Sequence, residues 1–179
     1  MGYALAAAAR DLGHEVVLVS GPVALTPPEN VEVVKIESAA EMAAAVKAAA
    51  PECGMVIMAA AVADYRPAQR SEHKLKKLPG GMCLELERTE DILASLGAAK
   101  KPGQLLVGFA AETDDLLENA AAMLRRKNLD WIAANKVCDG FGADTDLVTL
   151  LGRNGEVVEL PLAPKPEVAR MILDRIFGK

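Results

Sequence analysis

The chain has few cysteines and few aromatic residues, and both shortages limit what it can be. Its 179 residues include three cysteines, Cys53, Cys83 and Cys138, with no C-x-x-C pairing. Such spacing indicates neither a disulfide framework nor a zinc site, and a cytoplasmic location is expected. Aromatic residues make up 3% of the chain although 51% of it is hydrophobic. Aliphatic side chains and methionine must therefore build the core, which is typical of helices packed on a parallel sheet.

Long apolar runs and an excess of basic residues are also missing. No run approaches the ~20 apolar residues that span a bilayer, and the first residues have the pattern of an amphipathic helix rather than of a cleavable leader. A net charge of -5 and a pI of about 5.1 give no overall attraction to nucleic acid or to an anionic membrane. We therefore expect neither as a partner, and any anion-binding site must be local.

The glycine-rich phosphate loops of common nucleotide-binding folds are absent. The sequence contains neither G-x-G-x-x-G nor a Walker A loop, which disfavours an NAD(P)-linked reductase. A fold that binds phosphate at its first βα turn places a strand and a glycine-rich loop before its first helix, whereas the helix pattern here starts at Met1. We therefore expect a chain that is truncated at its N-terminus.

Helix and strand patterns alternate along the sequence. A helix over residues 1–12 precedes strands over 15–20 and 31–36, and Ser38 with Glu41 predicts a capping box for the next helix. This order predicts an α/β fold: one Rossmann-like three-layer sandwich over residues 1–179, with a mostly parallel sheet and a late antiparallel hairpin. The other predicted elements are strands over 54–62, 82–87, 104–110 and 130–135, helices over 89–98 (with Thr89 as N-cap), 113–127 and 165–177, and the hairpin over 147–151 and 157–160.

A buried strand that leads into a lysine-rich loop is the first candidate site. The apolar run over residues 54–62 ends in small residues, so a flat ring or a phosphate can approach its backbone. Asp64 comes next and can either cap the loop or contact a ribose hydroxyl or a metal-bound nucleotide. The lysines at positions 74, 76 and 77 can form a solvated loop, or they can close over phosphates. Both interpretations stay open for each of these residues.

Two more residues near strand ends carry similar alternatives. Phe109, between Gly108 and Ala110, is either a core side chain or a ring that stacks on a base. Lys127 ends a predicted helix, where the helix dipole favours a cation, but it can also reach over the sheet edge towards a triphosphate.

Four segments, in order over essentially the whole chain, resemble phosphopantothenoylcysteine synthetase. They are AAAVADY at 59–65, KLKK at 74–77, VGFAAET at 107–113 and KNLDWIAAN at 127–135. In bacteria this family usually forms the C-terminal half of a bifunctional coenzyme A biosynthesis protein, fused to a flavin-dependent decarboxylase. The resemblance implies a ligase: the carboxylate of 4'-phosphopantothenate attacks the α-phosphate of CTP, and the amine of cysteine then displaces CMP from the acyl-cytidylate. It also implies Mg2+ as a cofactor and a homodimer.

The resemblance implies the site residues as well. Lys74 corresponds to a catalytic lysine on a flap that meets the triphosphate, and Lys76 and Lys77 support it. The resemblance implies no protein side chain as a metal ligand. A non-catalytic nucleotide-binding module stays an alternative, because the family's Ser-Gly-Pro-Thr loop and Asn-x-Ser-Ser-Gly-Lys segment, expected before Met1, are absent. Glu90 stands where the family usually has a proline. The implied nucleotide-binding residues are Met58, Ala59, Ala60, Asp64, Lys74, Glu90, Asp91, Ile92, Leu93, Phe109 and Lys127.

Overall fold

The computed structural model describes residues 1–69, 71, 73–76, 80–112, 115–136 and 144–178, without the side chains of Glu112 and Lys136. Helices and strands alternate along it as the sequence pattern predicts. The helices are α1 (Gly2–Asp11), α2 (Ala39–Ala49) with a 3-10 turn after it (Ala50–Glu52), α3 (Ile92–Ala99), α4 (Leu116–Arg126) and α5 (Lys165–Ile176). The strands are β1 (Val17–Ser20), β2 (Glu32–Lys35), β3 (Met55–Met58), β4 (Tyr65–Pro67), β5 (Leu86–Arg88), β6 (Leu105–Glu112), β7 (Trp131–Lys136), β8 (Thr145–Asp146), β9 (Thr149–Gly152), β10 (Val157–Glu159) and β11 (Ala163–Pro164).

A five-stranded sheet in the order β10-β9-β7-β6-β3 forms the centre of the molecule. Strands β3, β6 and β7 are parallel, and the hairpin of β9 and β10 joins β7 in antiparallel orientation. Strands β1 and β2 form a separate parallel pair, while β4 with β5 and β8 with β11 form antiparallel pairs. The predicted α/β fold with a mostly parallel core and a late hairpin is confirmed.

Helices cover both faces of the central sheet because neighbouring residues of a buried strand point to opposite sides. Ala134 of β7 packs with α2, α3 and α4, whereas Ala133 packs with α1 and α5. Neither side chain has accessible surface, so both faces are apolar and the three-layer prediction holds. No helix within the described ranges is long and apolar enough to cross a membrane.

The start of α3 differs from the prediction. The helix begins at Ile92 with Asp91 as its N-cap, and the carboxylate of Asp91 accepts a hydrogen bond from the Ala94 N–H at 3.0 Å. Thr89 is not the cap, because its hydroxyl donates to the Ala63 carbonyl at 2.5 Å instead. The predicted strand over 82–87 is observed only as β5, and its pairing with β4 was not predicted.

Candidate functional site

The carboxyl end of strand β3 forms the floor of the candidate site. Met58, the last residue of β3, lies in register with Gly108 in the middle of β6, which lies in register with Ile132 near the start of β7. Met58 and Ala59 are partly buried and Ala60 is exposed. The small residues at the end of β3 therefore leave its backbone open to a ligand at the carboxyl edge, where α/β folds bind their ligands.

The segment before α3 is tied to the exit of β3. The Thr89 N–H donates to the Asp64 carbonyl at 2.9 Å, and the Thr89 hydroxyl binds the neighbouring carbonyl of Ala63. Asp64 itself is exposed. The N-terminus of α3, with its outward N–H groups and positive dipole end, consequently lies beside the strand exits, where it favours an anion.

Leucine packing sets how closely α3 approaches the sheet. A Cβ atom at Gly108 would lie 2.9 Å from Leu93 Cδ2 and 2.8 Å from Leu129 Cδ1. Glycine is needed at position 108 because these two buried side chains occupy the space above the strand. Ile92 and Leu93 are 4% and 8% exposed, so the side chains of these two predicted site residues belong to the core, and their predicted role could involve only their backbone.

Lys127 reaches the same helix end. Its backbone lies at the C-cap of α4, yet its ammonium forms an ion pair with the Asp91 carboxylate at 2.9 Å. The Lys127 side chain is only 13% exposed and that of Asp91 is 50% exposed. Partial burial alone raises the pKa of Asp91, but the hydrogen bonds from Lys127 and the Ala94 N–H, with the charges of Lys127 and Arg126, outweigh it and lower the pKa.

Glu90 occupies a second ion pair at this position. Its carboxylate accepts hydrogen bonds from the Lys47 ammonium of α2 at 2.8 and 2.9 Å and from the Ser95 hydroxyl at 2.7 Å. The hydrogen bonds from Lys47 and Ser95 hold the pKa of Glu90 below its ordinary value. Two carboxylates and two ammonium groups thus meet at the start of α3. Nothing in the sequence near Glu90 identifies Lys47, which is 43 residues away.

Phe109 and the predicted flap lysines form no hydrogen bond or ion pair with the start of α3 among the described residues. Phe109 is partly buried and packs with α1 and α5, on the sheet face opposite to Leu93. Lys74 and Lys76 are exposed in the segment between β4 and β5, and Lys77 lies outside the described residues. Among the residues that the structure describes, no hydrogen bond or ion pair connects the Lys74 ammonium to the strand exits. Its proposed role stays a prediction.

The third strand exit holds a polar pair whose second member, Asp146, was not predicted from the sequence. Asn135, near the end of β7, donates a hydrogen bond from Nδ2 to Asp146 of β8 at 2.9 Å. Asp146 is 3% exposed, so its carboxylate is one of the few buried polar groups among the residues that the structure describes. In the sequence, the only signal for Asp146 is its position directly before the apolar strand predicted over residues 147–151.

No group of three or more histidine, cysteine, aspartate or glutamate side chains within the described ranges could hold a metal ion. Mg2+ commonly keeps several waters and binds through substrate phosphates rather than in an all-protein cage. An Mg2+ ion that arrives with a nucleotide stays an expectation, for which Asp64 offers an exposed carboxylate.

Known proteins resemble this chain over nearly all its length. The family described as DNA/pantothenate metabolism flavoprotein C-terminal domain matches residues 1–178. The coenzyme A biosynthesis bifunctional protein CoaBC of Bacillus subtilis (strain 168) is 49% identical over 180 residues, which cover 98% of this chain and 44% of that protein. A cysteine/cysteine sulfinic acid decarboxylase from an unknown prokaryotic organism is 47% identical over 181 residues, 99% of this chain and 50% of that protein.

A solved structure supports the same relationship. The crystal structure of the C-terminal domain of a CoaBC protein matches with a TM-score of 0.83 and 47% identity, over 98% of this chain and 79% of that chain. The chain spans half or less of the two curated relatives above. The resemblance noted in the sequence is confirmed, and the chain belongs to the family of DNA/pantothenate metabolism flavoprotein C-terminal domains.

Proposed function

We propose that this domain is a phosphopantothenate–cysteine ligase of coenzyme A biosynthesis that uses CTP. The observation that carries the proposal is the 49% identity to CoaBC over 98% of the chain. The geometry adds support, because the open end of β3, the N-terminus of α3 and the Lys127 ammonium lie at one edge of the sheet. A site that binds a nucleoside triphosphate needs accessible backbone, N–H donors and cations.

The proposed reaction has two steps. A carboxylate oxygen of 4'-phosphopantothenate attacks the α-phosphorus of CTP, forming an acyl-cytidylate while pyrophosphate leaves. The cysteine amine then attacks the acyl carbon, which forms the amide, releases CMP and gives up one proton. Bound phosphates would carry Mg2+ to the site, where its charge offsets that of the transferring group.

The chain's own residues position the nucleotide. Residues Met58 to Ala60 form the floor, and the first turn of α3 presents N–H groups to a phosphate. Lys127 exchanges its Asp91 partner for a phosphate oxygen, and Phe109, on the sheet face opposite to α3, is assigned to the base. Lys74 closes from the β4–β5 segment to neutralise the leaving pyrophosphate, since a flexible point charge suits that task.

Pyrophosphate release tests this proposal. We expect release only when CTP, 4'-phosphopantothenate and the protein are present together, and CMP release only after cysteine is added. CTP binding without any pyrophosphate release would favour the non-catalytic module instead. Absence of CTP binding to folded protein would overturn both hypotheses, and nicotinamide cofactor binding in its place would favour a reductase.

The proposed partners include a second copy of the chain. All six residues of β4 and β5 are exposed, and Tyr65 and Leu86 are 50% and 52% exposed within this antiparallel pair. Met82 and Leu84, close by in sequence, are 76% and 55% exposed. We propose that the β4–β5 pair, together with the exposed apolar side chains of Met82 and Leu84, forms an arm that pairs two subunits, since exposed apolar patches mark interaction sites. Sedimentation should give a dimer, and Leu86→Asp should give a monomer; an unchanged mass would refute this arm as the interface.

The bifunctional name of the Bacillus subtilis relative supports a second, fused domain. The decarboxylase name of the other relative supports our proposal that this domain is a flavin-dependent decarboxylase. The expected location is the cytoplasm, where such biosynthesis would take place. Fractionation of cells that express the full-length protein checks the location.

A further inference from the structure

The turn after α4 lies very close to the middle of α3. A Cβ atom added at Gly97 would lie 1.9 Å from the carbonyl oxygen of Lys127 and 2.9 Å from its carbonyl carbon. Gly97 is buried in α3. Only glycine permits this approach, because the obstacle is backbone and cannot rotate away as a side chain can.

Asn128 fixes the same turn. Its φ angle of 54° lies in the left-handed region, which asparagine tolerates better than most residues. Its side chain donates to the Gly97 carbonyl at 2.8 Å and accepts from the Arg153 guanidinium at 2.6 Å. The Lys100 ammonium binds its carbonyl at 2.9 Å. Asn128 is therefore held to α3 on one side and to the β9–β10 hairpin on the other.

This contact explains how Lys127 reaches the N-cap of α3. An α-helix rises about 1.5 Å per residue, so Asp91 lies roughly 9 Å along the axis from Gly97. A lysine can bridge that distance only when its own backbone lies against the helix. The observed ion pair with Asp91 and the 13% exposure of the Lys127 side chain fit a side chain laid along α3.

We propose that Gly97 and Asn128 are positioning residues that hold the α4–β7 turn against α3 and so direct the Lys127 ammonium to the strand exits. The proposal rests on the proposed function, in which Lys127 contacts a phosphate of CTP. Holding the cation in place before the nucleotide arrives reduces the ordering cost of binding. Without this contact the same lysine would extend into solvent at the amino edge of the sheet.

Chemical labelling reads the position of Lys127 without any nucleotide. Acetic anhydride acylates accessible lysine amines, and peptide mass spectrometry gives the rate at each position. We expect Lys127 to label more slowly than exposed Lys74 in the native protein and several-fold faster in Gly97→Ala. Asn128→Gly serves as the second variant, because it keeps the left-handed backbone and removes both side-chain bonds.

Gly54→Ala is the matched control, since a Cβ atom there meets no atom within 4 Å. It should leave the labelling of Lys127 unchanged. Equal labelling of Lys127 in the native protein, Gly97→Ala and Asn128→Gly would overturn the proposal.

A double-mutant cycle by calorimetry connects the position to binding. Lys127→Gln should weaken CTP binding about tenfold, as expected for loss of one charge-assisted hydrogen bond. Asn128→Gly should weaken binding in the native background and cause no further loss in Lys127→Gln, because the cation that it positions is gone. Additive losses would contradict the positioning role. If the native protein bound no CTP, the proposed function would fail, whereas the labelling result would still decide the geometry.

Discussion

Charges at the two edges of the central sheet are held in different ways. At the amino edge, Asp130 accepts hydrogen bonds from the Lys100 ammonium at 2.8 and 2.9 Å and from the Leu106 N–H at 2.7 Å. The Lys100 side chain is 12% exposed and the Asp130 side chain is 19% exposed. At the carboxyl edge, the Glu90 and Asp91 carboxylates are 40% and 50% exposed. The Asp130 carboxylate is therefore shielded and used by the fold, whereas the Glu90 and Asp91 carboxylates are open to solvent.

Removing the carboxylate of the amino edge should have the largest effect on stability. Asp130→Ala leaves the largely buried Lys100 ammonium and the Leu106 N–H without this partner, which should cost about 3 kcal/mol of unfolding free energy. Urea denaturation measures it. Glu87→Ala, which removes the carboxylate of the exposed Arg66–Glu87 pair, should cost less than about 0.5 kcal/mol. Equal losses in the two variants would show that burial does not separate these charges.

Loss of the flap lysine should affect turnover and spare the fold. Lys74→Gln should lower kcat/KM about 100-fold if this cation stabilises the leaving pyrophosphate. Its unfolding free energy should change by less than about 0.5 kcal/mol, because the side chain is exposed. Steady-state kinetics with 4'-phosphopantothenate, CTP and cysteine measure the first quantity. A variant with full turnover would remove Lys74 from the mechanism.

A methyl group at the floor of the site should disturb both packing and binding. Gly108→Ala forces a Cβ atom towards Leu93 and Leu129, and such overpacking should cost about 1–3 kcal/mol. Because Leu93 belongs to the first turn of α3, CTP affinity should fall as well. Gly54→Ala supplies the control for denaturation and calorimetry. A Gly108→Ala protein with native stability would mean that the two leucines move aside freely.

The smallest expected effect concerns the pH dependence of the carboxyl edge. The pKa of Asp91 is lower in the folded protein, so its charge adds stability above the carboxyl's unfolded pKa, and that contribution disappears as the pH falls through the folded pKa. Asp91→Asn keeps a capping side chain and loses the charge, so it should be less stable than native protein by at most about 0.5 kcal/mol at pH 7. The difference should shrink as the pH falls below the ordinary aspartate pKa of about 3.9. Urea midpoints across this range measure it, and a difference that grew in acid would reverse the assigned sign.

Local signals predicted much of the fold. Ser38 and Glu41 form the capping box that their spacing predicts, since both residues act within one helical turn. The predicted N-cap of α3, Thr89, was wrong because the Thr89 hydroxyl binds the Ala63 carbonyl, 26 residues away. A cap can be predicted from adjacent residues only when no distant partner competes for its side chain.

The site was predictable only in outline. Its strand exits follow from short apolar runs that end in small residues, and Lys127 follows from its place in a family motif. The route by which Lys127 reaches Asp91 depends on the absence of a side chain at Gly97 and on a left-handed Asn128. Neither residue type indicates by itself which distant segment it will touch.

Calorimetric titration of CTP with Mg2+ into folded native protein, Lys127→Gln and Arg125→Gln decides whether the carboxyl edge is the anion site. Both variants lose one positive charge, but Arg125 is exposed beside the β9–β10 hairpin. We predict saturable binding to the native protein, an unchanged affinity in Arg125→Gln and a loss of about tenfold in Lys127→Gln. No heat with the native protein, or an equal loss in both variants, would contradict the assignment of the nucleotide to the carboxyl edge.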